Sequence, residues 1–139
     1  MRASLRVALA LPVALLAALA IPTSAHADTA HYDCFASSKD AGGVDCNVWF
    51  RNSSGDKVSE MQFESYGEHI TLFDWEADGR GIVVYNARPL DEWWANTKGA
   101  GTYVEVPFPN FAEGSTFYLE VCQTDNGSWL NCIDVYVTA

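Results

Sequence analysis

The sequence predicts an all-β protein: a small antiparallel β-sandwich of about eight short strands, stapled by two disulfides. Three observations carry that expectation. Apolar residues recur with a period of two, not 3.6. Gly, Pro, Asn and Asp bound each apolar run at the spacing of sandwiches and small barrels. Four cysteines, an even number, all lie beyond an export-type N-terminal segment.

That segment sets the compartment. Arg2 and Arg6 precede an uncharged apolar run, Val7 to Ile21, and Ala25-His26-Ala27 supplies a small-x-small cleavage signal. The run is 15 residues long, short of the roughly 20 that span a bilayer. Residues 1–27 therefore read as a secretory signal peptide, and 28–139 as one secreted domain with no membrane span. Removing the signal takes away two of the eight bases and none of the 18 carboxylates. The remaining 112 residues carry a net charge of −12. Such a surface repels phosphate backbones, which excludes nucleic acid as a partner.

Outside the cell the cysteines pair. Three connectivities exist, and turn chemistry selects one. Lys39-Asp40-Ala41 lies midway between Cys34 and Cys46. Asn126-Gly127, a strong hairpin signal, lies midway between Cys122 and Cys132. Each pair then meets across a ladder, predicting Cys34–Cys46 and Cys122–Cys132. The spacings are not those of zinc ligands or redox motifs.

The strands follow in order. In "VDCNVWFR", Val44, Cys46, Val48 and Phe50 share a face, with Trp49 opposite. After the turn 52–56, "KVSEMQFESY" sets Met61 and Phe63 against Glu60, Gln62 and Glu64. "HITLFDW" sets Ile70 and Leu72 against Phe73 and Trp75. "IVVYNA", "TYVEVPF", "TFYLEVCQ" and "LNCIDVYV" complete the set. Pro107 and Pro109 mark an edge, where a missing N–H does least harm. "PLDEWWAN" reads as a loop with at most one helical turn after Pro89. Trp49 and Trp75, opposite their apolar neighbours, are expected to face the second sheet, and Trp129 to pack on its disulfide.

Catalytic machinery is not legible. No serine sits in a nucleophile elbow, and the secreted part has only His31 and His69. Glu68 and His69 are the pair a small hydrolase would use, but neighbours on a strand point apart. The expectation is no enzyme and no cofactor. Asp74, Glu76 and Asp78 open like a calcium loop, yet Tyr85 stands where such loops place a glutamate. A hairpin turn through Gly79 accounts for the same residues.

Trp93 and Trp94 remain. One can plug the open end of the sandwich, and the other is then hard to bury. An exposed tryptophan flanked by Asp91, Glu92 and Asn96 suits a protein hot spot or a stacking platform for a polysaccharide.

"YDCFAS", "SYGEH", "ADGRG" and "VCQTDNGSWLNC" together make the chain resemble small secreted disulfide-containing β-proteins of actinomycetes. That resemblance implies partner binding rather than chemistry. The expected function is a secreted acidic module for another secreted or cell-surface protein, as an adaptor subunit of a secreted complex such as a toxin particle or as an inhibitor. Carbohydrate or cell-wall binding through the tryptophans is the alternative, and a small hydrolase a third reading.

Overall fold

The computed structural model describes residues 28–139; residues 1–27, which the sequence reads as a signal peptide, lie outside the described residues. Nine strands and no helix form among them: β1 (Thr29–Ala36), β2 (Val44–Arg51), β3 (Lys57–Glu64), β4 (His69–Asp74), β5 (Arg80–Asn86), β6 (Glu92–Asn96), β7 (Thr102–Val106), β8 (Thr116–Asp125) and β9 (Ser128–Thr138). All pair antiparallel in the order β6-β5-β8-β9-β2-β3-β4-β7, with β1 along the other side of β2.

Between β9 and β2 the pairing shrinks to Val44 opposite Thr138. There the sheet folds over, and its two halves bury their inner faces together. From one half come Val48, Phe50, Met61, Phe63, Ile70 and Leu72; from the other come Ile82, Val84, Leu119, Val121 and Val137. Each set occupies alternate positions of its strands, so the period-two pattern becomes one shared core. The far ends nearly close the circuit: Asn96 of β6 donates from Nδ2 to the Leu72 carbonyl at 3.2 Å and the Thr102 carbonyl at 3.1 Å.

Both disulfides form as the turns predict, Cys34–Cys46 and Cys122–Cys132, a chemistry suited to an oxidising compartment. Cys34 lies directly opposite Cys46 in the β1–β2 register. The β8–β9 hairpin turns on Asn126 (φ 48°) and Gly127 (φ 82°). Two consecutive positive φ values make the turn that matches strand twist. Val121 faces Ile133 but Gln123 faces Leu130, so β9 carries one extra residue there. Asn131 (φ 52°) lies in the bulge, and its Nδ2 donates to Gln123 Oε1 at 2.8 Å.

A second polar chain ties the start of the described residues to the sheet. Arg80 Nη1 donates to Asp28 Oδ2 at 2.8 Å, and Gln123 Nε2 donates to the same oxygen at 2.7 Å. Asp28 and Gln123 are both buried. Arg80 therefore satisfies a carboxylate that would otherwise be costly to enclose.

Three local expectations differ from the structure. "EWWAN" is a strand, not a loop with a helical turn: β6 pairs with β5 from Ile82–Asn96 to Asn86–Glu92. Trp49 does not face the second sheet; it stacks on His31 at 5.8 Å and lies under Lys57 on the outer face. Trp75 is exposed and stacks on Phe73 at 5.1 Å.

Candidate functional site

The half built of β6, β5, β8 and β9 has an unusual outer face. Inner positions take the core residues, so alternation turns Tyr85 of β5, Trp93 of β6 and Trp129 of β9 outward. Tyr85 and Trp93 are cross-strand partners. Trp129 packs 5.8 Å from Tyr85 and 6.4 Å from Trp93, with ring planes inclined by 53° and 68°. Trp93 remains 60% exposed and Trp129 39%. Val83 and Cys122, also on this face, are fully buried. An open concavity of about 740 Å³ lies here, lined by Val83, Trp93, Thr124 and Trp129 among others.

Further along the same face, Tyr118 and Tyr136 meet edge to face at 5.8 Å, and Tyr136 is the most exposed large hydrophobic side chain of the described residues at 69%. The phenols are tied to carboxylates. Tyr85 donates its hydroxyl to Asp91 at 2.6 Å, and Tyr118 donates to Asp134. These hydrogen bonds are the first cause that pushes both phenol pKa values up, with the Glu120 charge adding to each. Both phenols stay protonated at neutral pH and act as donors.

The chain matches no protein-family model, no curated protein and no solved structure. The site therefore rests on its own geometry.

That geometry divides the residues singled out in the sequence. Trp93 faces outward beside Asp91, whose carboxylate is engaged by Tyr85. Trp94 turns inward, against Phe108 at 5.6 Å and the core. Asn96 is fully buried and spent on Leu72 and Thr102, so it cannot reach a ligand on the outer face. Glu92 is exposed at the start of β6. Tyr85 and Trp129 were missed. Their signal is the outward parity of Tyr85 among "IVVYNA" and the position of Trp129 two residues past the Asn126-Gly127 turn. Trp129 packs against these aromatics, where the sequence suggested the disulfide.

Glu68, His69 and the acidic residues after β4 do not assemble comparably. Glu68 is buried in the β3–β4 turn at φ 47°, whereas His69 begins β4 exposed and lines a separate concavity with Glu64 and Glu105. Glu68 and His69 thus diverge. In the turn after β4, Glu76 accepts from Asn52 Nδ2 at 3.1 Å and Asp78 accepts from the Arg80 amide at 2.9 Å. Asp74 is buried with Oδ2 unpartnered. Burial raises its pKa first and the Asp78 charge adds to this, against the Glu76 and Gly99 amides. Among the described residues, one trio of metal-type ligands lies close together: Glu120, Cys122 and Cys132, whose two cysteines form a disulfide. No helix of the described residues is long and apolar enough to cross a membrane.

Proposed function

We propose that this chain is exported and works as a non-catalytic binding protein, with its β6-β5-β8-β9 outer face docking another extracellular protein. The observation that carries this reading is the outward cluster of Trp93, Trp129 and Tyr85, whose two tryptophans line an open concavity. Tryptophan and tyrosine anchor protein interfaces because they bury large area at small entropic cost. Ring orientation favours protein over polysaccharide. A sugar chain lying flat across several rings needs aromatic faces in one plane, whereas these planes are inclined by 53° and 68°. A corner of that shape suits an inserted side chain. An adaptor in a secreted complex and an inhibitor both use such a surface.

The test is size exclusion of the producing organism's culture medium, with mass spectrometry of whatever co-elutes. The expected result is a complex of defined composition that Trp93→Ala and Trp129→Ala both dissolve. Elution as a lone monomer, together with retention on cell-wall polysaccharide, would sink the reading. The protein in the medium is expected to begin at Asp28, which an intact mass checks; a chain still carrying residues 1–27 would contradict export by cleavage.

A further inference from the structure

Resting on the docking reading above, we propose that the corner formed by Tyr85, Trp93 and Trp129 receives a cationic side chain, an arginine or lysine, from the protein partner. Two independent features of the face converge on this chemistry.

The first is ring geometry. Trp93 and Trp129 meet edge to face, and Tyr85 is tilted against Trp129. Aromatic faces are the negative pole of the ring quadrupole, and a cation within about 6 Å of a ring centroid is attracted to it. Centroid separations of 5.8 and 6.4 Å let one cation sit near more than one ring. An apolar side chain would also fit the corner, so shape alone does not decide.

The second feature is charge, and it does decide. No lysine, arginine or histidine occurs in β6, β8 or β9. The single base of β5, Arg80, is committed to Asp28. Asp91, Glu120 and Asp134 lie on or beside this face, and none belongs to an ion pair among the described residues. The other half of the sheet is different: there Lys39 pairs with Glu64 and Lys57 with Glu60. The strands of the outer face β6-β5-β8-β9 thus carry carboxylates and aromatic faces and no uncommitted cation; the nearest bases in the chain, Arg88 and Lys98, lie in the loops before and after β6. Complementarity assigns the missing charge to the partner.

The decisive measurement is calorimetric titration of the 28–139 protein with a short oligoarginine peptide and with its citrulline counterpart, near 0.15 M salt. Citrulline keeps the shape and loses the charge. The expected preference for arginine is about tenfold or more, within the range of cation–π and charge-assisted contacts. Trp93→Ala, Trp129→Ala and Glu120→Gln should each reduce that preference several-fold, while Glu64→Gln on the opposite face leaves it unchanged. Trp129→Phe, which keeps an aromatic face, should restore most of it. Equal affinity for the two peptides would overturn the proposal. So would an arginine preference indifferent to Trp93, Trp129 and Glu120, because it would then belong to net charge alone.

The two readings fail separately. A partner whose capture depends on Trp93 yet survives high salt and blocked partner arginines and lysines would leave the docking reading standing and remove the cation. Capture of no partner at all would remove the docking reading, and the peptide titration would still report on the corner.

Discussion

At Trp93 and Trp94 one step along the backbone exchanges solvent for the core. Trp93 is 60% exposed, while Trp94 packs on Phe108 against the buried cluster. Trp94→Ala is expected to cost about 2–3 kcal/mol, somewhat below the range for a fully buried aromatic, because Trp94 is half-buried. Trp93→Ala is expected to cost under about 1 kcal/mol, as exposed positions usually do. Urea unfolding of both variants measures the contrast, and equal losses would contradict the assigned faces. Asp74 poses a different question. Its folded pKa is raised by burial and by Asp78. A carboxyl whose folded pKa exceeds its unfolded one costs stability while ionised, and regains it as pH falls through the folded value. Asp74→Asn is therefore expected to unfold at higher denaturant than the parent at pH 7. The gap should close as pH falls towards the ordinary carboxylate range. Denaturation midpoints across that range provide the check, and a gap that widens on acidification would contradict it.

Among the elements, the two disulfide hairpins differ in where their cystines lie. Cys34–Cys46 reaches the central core through Cys46, whereas Cys122–Cys132 belongs to the outer face beside the candidate site. Their sequence separations of 12 and 10 residues are similar. Each loop closure is therefore expected to contribute about 2–3 kcal/mol by restricting the unfolded chain. Replacing either pair by alanine and comparing unfolding midpoints tests this. Loss of Cys34–Cys46 should cost more, since it also opens space beside Val48 and Phe50. The β5–β6 pair shows a second kind of dependence. Gly81 of β5 faces β6 so closely that a Cβ would collide with the Asn96 carbonyl. Adding a methyl there would push β6 outward and carry Trp93 with it.

For the molecule as a whole, stability depends on how the sheet's two ends meet. β6 and β7 end the strand order, and the Asn96 side chain ties them through Thr102 and reaches β4 through Leu72. Asn96→Ala deletes the two donated bonds and the Oδ1 acceptor of the Lys98 amide and the Thr102 hydroxyl, at an expected cost of about 2–3 kcal/mol. Amide exchange should then quicken first in β6 and β7; uniform loss of protection across all strands would argue against a local tie.

Much of this was determined by sequence alone: the all-β class, both disulfide pairings and the Asn126-Gly127 turn. These depend on residues close in the chain, where side-chain alternation and turn preferences act without help from the rest of the fold. The same local rule failed at β6 for a specific reason. Asn96 occupies a core-facing position, so "EWWAN" shows no clean apolar alternation, and only the carbonyls of Leu72 and Thr102 make a buried asparagine tolerable there. Tertiary structure alone decided that Tyr85, Trp93 and Trp129 form one corner. They lie on β5, β6 and β9, and their meeting depends on the strand order, on the packing across it and on the twist of the sheet. Strand order is set by long-range pairing, which leaves no periodic mark on any one segment.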